Sequence, residues 1–385
     1  MLKHGLCHGL CGLFFNVLLI LRGGVCRSLA TGLGLRVKTA VGILRQAMDT
    51  RWFRCGRVGA IIAGFNRGKR RVYVAVRRRA GCGAVALMVL AGWAVPAGWV
   101  HADEPFLAAE IDEASGLVAS QRHAGVYWTH NDNVNLPASN RAGPALLYAI
   151  GEDGQIRERL ELVQVQRRDW EAITRMPLDG REVLVVGDIG DNRQRHPHYR
   201  LWFVEEPAQL RSAVIEPVKS KPLGSLRFTY PDGAHDAESL AWDATSGRVL
   251  VLTKRDETPG LYSLDVSRAA WGASQVARFE ARLPPLPAPD PVSWLMSPLI
   301  GPHAHQPTDM ALHPDGRRLA VLSYAAVYLF AREKDEPWAT ALQRQPRALP
   351  LPVIAQYEGL AWSRDGKTLR IVQEGAGTPF LSLAP

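Results

Sequence analysis

The chain has 385 residues, with 46 Lys+Arg against 37 Asp+Glu and a formal net charge of +9. Residues 1–102 carry 16 of the basic groups and one acid, Asp49, so residues 103–385 hold 30 basic and 36 acidic groups and are net negative by six. The basic excess is confined to the leader, which argues against a nucleic-acid footprint, and no nucleic-acid partner is expected. All five cysteines (Cys7, Cys11, Cys26, Cys55, Cys82) lie in that leader too, which excludes disulfides and thiolate metal sites from the remaining 283 residues.

In chain order, the first feature is the leader. Residues 71–102 read as a signal peptide. Arg77-Arg78-Arg79 is a charged n-region, Ala84 to Val95 an apolar run, and Val100-His101-Ala102 a cleavage site before Asp103. The apolar run is short for a membrane span, so no stable span is expected in the mature protein. No cysteine follows in a position for a lipid anchor. A periplasmic or secreted protein is expected. Residues 1–70 read as an extension from a start assigned too early, because no Met lies between Met48 and Met88. Val72, Val74 or Val76 would then mark the true start. The alternative is a genuine basic leader with an apolar helix at Leu10–Leu21.

From residue 103 the chain reads as short strands separated by turn signals. A repeat runs through it: "EASGLVAS" (113–120), "DWEAITRM" (169–176), "DAESLAWD" (236–243), "PTDMALHP" (307–314) and "YEGLAWSR" (357–364). Each is followed by a turn glycine (Gly125, Gly180, Gly247, Gly316, Gly366), suited to positive φ in a hairpin. Second strands follow at "VYWTHND", "VLVVGDIGDN", "RVLVLTKRD", "RLAVLSYAA" and "LRIVQEGAG", and third strands at "ALLYAI", "YRLWFV", "GLYSLDV", "VYLFAR" and "PFLSLAP". Four units have a fourth strand: "RLELVQV", "LRFTYP", "QVARFEA" and "LPVIAQY". A four-stranded unit repeated five times predicts an all-β, five-bladed β-propeller over 103–385. The fifth unit lacks its outer strand, which "FLAAEI" (106–111) is expected to supply, closing the ring. Pro-rich insertions near 207–222 and 284–307 leave six blades as the alternative.

In such a ring the first strand of each blade lines the channel, and first-strand starts share a rim with second-strand ends. Glu113, Asp169, Glu171, Asp236, Glu238, Asp309 and Glu358 then meet His130, Asn131, Asp132, Asp188, Asp191, Asn192, Lys254, Arg255 and Glu374 at one mouth. Like charges about 4 Å apart repel by roughly 4 kcal/mol at an effective dielectric near 20. Protonation, pairing with Lys254 and Arg255, or a hard cation would relieve this. Asp169, Glu171, Asp188, Asp191, Asp236, Glu238 and Glu358 are the candidate metal ligands, with Ca²⁺ the expected ion. Glu113, Asn131, Asp132, Asn192, Arg255, Asp309 and Glu374 are candidate ligand contacts, and His130 and Lys254 candidate proton and charge carriers. The competing reading is that first-strand carboxylates bond neighbouring backbone N–H groups and hold blades together.

Other motifs carry less. His196-Pro197-His198 and His303-Ala304-His305 lack a third ligand at zinc spacing. Trp170, Trp242 and Trp362 read as core. No Gly-x-Ser-x-Gly, Walker or dinucleotide glycine pattern occurs.

Asp169-Trp170-Glu171, Gly187–Asn192 and His235-Asp236-Ala237-Glu238, together with "LTK" and "YEGLAW", resemble a group of secreted bacterial β-propeller proteins over residues 105–385. That group is loosely related to phytase-like and esterase-like propellers. The resemblance implies a calcium-holding acidic mouth that acts on phosphoesters. This chain departs from it in blade count and in having few basic residues at the mouth beyond Arg193, Arg195, Lys254 and Arg255. The expected function is a metal-dependent hydrolase of a phosphoester or other anionic ester. The alternatives are a non-catalytic module binding a small-molecule or cell-envelope ligand, and a glycosidase using two carboxylates. A monomer is expected.

Overall fold

A computed structural model describes residues 61–65, 72–76, 104–132, 144–211, 216–287, 300–353 and 355–385. It divides into two units, 1–97 and 98–385. In the first, β1 (Ile61–Phe65) and β2 (Val72–Val76) pair antiparallel, with Ile61 opposite Val76. This hairpin straddles the expected boundary at residue 70. The arginine run, the apolar run and the cleavage site at 77–102 lie outside the described residues, as does Leu10–Leu21. Among the described residues no helix is long and apolar enough to cross a membrane.

The second unit is a five-bladed β-propeller. Blade 1 is β3 (Ala114–Ala119), β4 (Val126–Asn131), β5 (Leu146–Gly151) and β6 (Ile156–Leu162). Blade 2 is β7 (Trp170–Leu178), β8 (Arg181–Asp188), β9 (Tyr199–Glu205) and β11 (Gly224–Thr229). Blade 3 is β12 (Ala237–Asp243), β13 (Arg248–Thr253), β14 (Gly260–Asp265) and β16 (Arg278–Arg282). Blade 4 is β17 (Pro307–Leu312), β18 (Arg318–Ser323), β19 (Ala326–Ala331) and β20 (Arg347–Pro350). Blade 5 is β21 (Tyr357–Trp362), β22 (Leu369–Gln373) and β23 (Leu381–Leu383). Inside each blade, neighbouring strands are antiparallel. All five predicted turn glycines have positive φ, between 65° and 75°.

Inner strands pack in the order β3, β7, β12, β17, β21 and back to β3, so the ring closes on five blades and leaves no gap for a sixth. The core is accordingly divided into five slabs, one between each pair of neighbours. Leu184 and Val186 of blade 2 pack with Trp128 and Leu147 of blade 1, and Val183 and Val185 pack on the other side with Leu240 and Val251 of blade 3. A blade buried on both faces explains why burial along β8 and β21 is continuous rather than alternating. Trp170 and Trp362 are buried and Trp242 packs against the blade 2–blade 3 slab, as expected of core residues.

Three details differ from the sequence reading. Residues 106–111 do not form a full outer strand. Leu107 N–H donates to Thr378 O at 2.9 Å and Phe380 N–H to Pro105 O at 2.8 Å, around a single Phe106–Pro379 bridge. The chain then turns, with Ala108 N–H on Gly154 O, and sends Leu107 and Ile111 into the slab between blades 5 and 1. The outer strand of blade 4 is Arg347–Pro350, not the apolar 351–357, because Leu351 and Val353 are buried in the connection that leads on to β21. Two short strands were also not foreseen. β10 (Val218–Ser220) runs parallel along β6, and β15 (Ser274–Val276) parallel along β11, so each reaches back to the preceding blade before its own outer strand forms.

Candidate functional site

The inner strands share a second feature that the repeat does not display. Each has a register shift against its partner at the rim: between Ser115 and Leu117, Trp170 and Ala172, Ala237 and Ser239, Pro307 and Asp309, and Tyr357 and Gly359. The extra residue of the five bulges is Gly116, Glu171, Glu238, Thr308 and Glu358. A bulge re-aims one side chain without breaking the sheet. Three of the five positions are therefore glutamates, on blades 2, 3 and 5, and all three are at least nine-tenths buried. Gly116 has φ +71°, and a Cβ there would lie 2.8 Å from Ile173 N, so blades 1 and 2 approach with backbone on backbone.

Glu171 belongs to a cluster with Asp132 and Asp169, in which one carboxylate oxygen from each lies within 4.8 Å of the others. It is the only group of three His, Cys, Asp or Glu side chains so placed among the described residues. Asp132 follows the end of β4, and its N–H donates to Glu113 O at 2.6 Å. Asp169 precedes β7, and its N–H donates to Asp188 Oδ1 at 2.8 Å. Its own Oδ1 is buried with no hydrogen-bond partner. Burial first, then the charges of Asp132, Asp236 and Asp188, push the Asp169 carboxyl up to about 7. Burial and then Asp132, Glu238 and Asp169 push Glu171 well above the usual range. These shifts record an electrostatic conflict that a cation would resolve.

Across the mouth, Lys254 Nζ contacts Glu238 Oε2, donates to Tyr324 OH at 2.8 Å and lies 3.8 Å from Glu358 Oε1. Tyr324 OH in turn donates to Glu358 Oε1 at 2.5 Å. Burial opposes the lysine's charge, but Glu238, Glu358 and Tyr324 outweigh it and raise its pKa. Burial raises the Glu238 carboxyl against the pull of Lys254. Glu374 lies between the two clusters: burial first, then Glu358, Glu113 and Asp132, push it up to about 8. Residues from blades 1, 2, 3 and 5 thus sense one another around a single opening, joined by Tyr324 of blade 4.

Several other candidates serve the scaffold. Asp191 Oδ2 accepts from Arg195 N–H and His196 N–H, both at 2.7 Å, and from Tyr199 OH at 2.9 Å. Those donors hold its pKa low against burial and organise the 187–196 loop. Asp236 Oδ1 accepts Asp191 N–H at 2.7 Å, and its Oδ2 pairs with Arg255 Nε at 2.6 Å. Arg255 also bonds Asn192 Oδ1. Asp309 stands one residue past its bulge and accepts from Met310 N–H at 2.8 Å and Leu360 N–H at 2.7 Å, which ties blade 4 to blade 5. Asn131 donates to Glu110 O and Asp112 Oδ1 on the entering segment. His130 is fully buried edge-to-face against Trp170, and burial, then Arg167, lower it to about 3. Asp188 faces a separate cavity beside Arg168 and Arg200. Burial raises its carboxyl.

Sequence reasoning missed Tyr324. It directly follows the last residue of β18, as Lys254 follows β13 and Glu374 follows β22, so the repeat register would have placed it at the mouth. It also missed a clamp around His235. The ring nitrogens lie 2.9 Å from Asp256 Oδ2 and 3.0 Å from Asp232 Oδ1, with Arg282 pairing both acids. The bond to Asp256 raises the histidine's pKa.

No family model matches the chain, and no curated protein matches it in sequence. Among solved structures, the chain is similar to the Kuenenia stuttgartiensis hydrazine synthase, with 11% identity, a TM-score of 0.36, and 71% of each chain covered. It is similar to a chain of the nidogen/laminin complex at 10% identity and TM-score 0.35, covering 71% of this chain and 81% of that one. It is similar to the Myxococcus xanthus glutaminyl cyclase at 10% identity and TM-score 0.42, covering 74% and 96%. Likeness at this level carries no functional argument.

Proposed function

We propose that this is an exported β-propeller enzyme that holds a divalent cation, Ca²⁺, at its channel mouth and hydrolyses an anionic ester there, a phosphoester in the first instance. The observation that carries the reading is the Asp132–Asp169–Glu171 cluster with its unpartnered buried Asp169 Oδ1. Oxygens up to 4.8 Å apart match two Ca–O bonds of about 2.4 Å on opposite sides of one ion. The donors are all carboxylate oxygens, which favours a hard cation over zinc or copper.

When bound, such an ion polarises an ester oxygen and makes a nearby water more acidic. The remaining roles fall to the chain. Asp132, Asp169 and Glu171 fix the ion's position. Lys254, held by Glu238 and Tyr324, contributes a fixed positive charge facing the opening. Glu374, half-buried with its pKa near 8, is suited to exchange a proton near neutral pH. His130, buried between blades, keeps a packing role.

The test is melting temperature with Ca²⁺ against chelator, together with a panel of chromogenic phosphoesters and esters, repeated with Asp169→Asn and Glu171→Gln. Calcium stabilisation and turnover, both lost in the variants, support the reading. Calcium stabilisation without turnover assigns the mouth to ligand binding alone, and no calcium effect removes the site.

A further inference from the structure

Beside the acidic mouth, on the rim over blade 2, lies a cavity of the opposite character. Its volume is about 330 Å³, and Arg167, Arg168 and Arg200 line it with Asp188, His198 and Tyr199. A water occupies about 30 Å³ of liquid, so the space takes a hydrated oxyanion or the charged end of a larger molecule.

Three arginines and one carboxylate line the cavity, and the charge of Asp132 also acts on Arg167. Among the described residues, none of the three arginines makes an ion pair within 4 Å. Aromatic rings brace them instead: Arg167 over Trp170 at 5.7 Å, Arg168 over Tyr199 at 5.7 Å and Arg200 over Trp202 at 4.8 Å. Arg168 Nη1 donates to His198 O at 3.0 Å, while its Nε is buried with no partner. An arginine does not shed its proton, so the Arg168 Nε–H still calls for an acceptor. A buried N–H without an acceptor is unfavourable by about 1–3 kcal/mol, more when charged.

We propose that this cavity is an anion subsite for a doubly charged oxyanion, gripped by the guanidinium groups of Arg167, Arg168 and Arg200. Planar forks suit carboxylate and phosphate oxygens alike. Three arginines against one carboxylate in the lining favour a dianion over a monoanion. Asp188 joins the two sites, since its Oδ1 accepts Asp169 N–H from the acidic cluster. The subsite would therefore hold a charged group of a substrate whose reacting bond lies over the mouth. For that presentation the inference rests on the reading of the mouth given above, whereas anion binding itself does not.

The experiment titrates the full chain in chelator at low salt with orthophosphate, malonate and acetate, by calorimetry. Saturable binding is expected for a dianion and at least tenfold weaker binding for acetate. Orthophosphate against malonate distinguishes a phosphate from a dicarboxylate. Arg200→Gln and Arg168→Gln should each weaken binding at least tenfold, Arg200→Lys by less, and Arg278→Gln, on the outer strand of blade 3, not at all. Thermal unfolding of each variant confirms the fold. Acetate binding as tightly as either dianion, no binding of either, or affinities unchanged by both glutamine variants overturns the proposal. Because chelator is present throughout, anion binding without any calcium effect leaves this subsite standing while the metal reading fails, and the reverse outcome separates them equally.

Discussion

Lys254, directly after β13, and Glu238 of β12 form an ion pair with each side chain less than one-tenth exposed, and Glu358 of blade 5 adds a second carboxylate within 3.8 Å of the same nitrogen. A buried pair adds little net stability over an apolar substitute, but breaking it strands a charge. Lys254→Met should therefore destabilise the protein by roughly 3–5 kcal/mol. Adding Glu238→Gln should recover part of that loss. Denaturant unfolding of the single and double variants gives both numbers, and a single variant as stable as the parent would contradict the pairing.

The Asp169 carboxyl, raised to about 7 from the ordinary 3.8, fixes a pH dependence with a definite sign. Between those two values the folded, cation-free protein binds a proton that the unfolded chain does not. Its contribution to stability therefore falls as pH rises from about 4 to about 7. A cation competes with that proton, so calcium affinity should rise with pH and level off above about 7. Calorimetric titration from about pH 5.5 to about 8.5 should show a steeper rise in the parent than in Asp169→Asn, where Glu171 still titrates. A flat profile in the parent would remove Asp169 from the ligand set.

Asp309 tests the scaffold role of first-strand acids. Its carboxylate bonds backbone N–H groups on its own strand and on blade 5. Asp309→Ala leaves these N–H groups buried without acceptors, at about 1–3 kcal/mol each. The variant should melt lower yet keep its calcium response. A lost calcium response at intact stability would instead make Asp309 a ligand.

Gly116→Ala should disturb the ring where blades 1 and 2 touch. The new methyl meets Ile173 N at 2.8 Å while φ is +71°. Positive φ alone costs about 1–3 kcal/mol in a non-glycine residue, before the clash is counted. Gly180→Ala, with positive φ but open space around it, should lose less. Equal losses at the two positions would mean that the close approach of the strands is unimportant.

Much of the fold was legible in the sequence because its signals recur. Five turn glycines, five apolar second strands and five first strands reinforce one another, and their spacing favoured five blades over six. The shared rim followed from strand direction alone. What the repeat could not show is which way a carboxylate points. Asp191 has the composition of a metal ligand, yet its loop consumes it, since three donors lie within eight residues of it. Glu171 is aimed inward by a bulge, a feature of pairing rather than of residue type. Asp132 came into the set of metal ligands only through geometry, because its blade places it beside Asp169. β10 and β15 are three residues long, too short to carry a period. The three arginines of the cavity come from two separate segments, Arg167 and Arg168 before β7 and outside the repeated strands, and Arg200 within β9.

The backward-reaching strands β10 and β15 have a mechanical consequence. They lace the outer edge of blade 2 to blade 1 and that of blade 3 to blade 2, whereas the first and last segments of the propeller are joined at their outer edge only by the short pairing around Phe106 and Pro379. The junctions from blade 3 round to blade 1 lack such lacing, and under heat or tension the ring should open at one of these before it opens between blades 1 and 3. Blades 1 to 3 would then hold as a sewn block, so amide exchange near Leu107 and Phe380 should outrun exchange in the inner strands of that block.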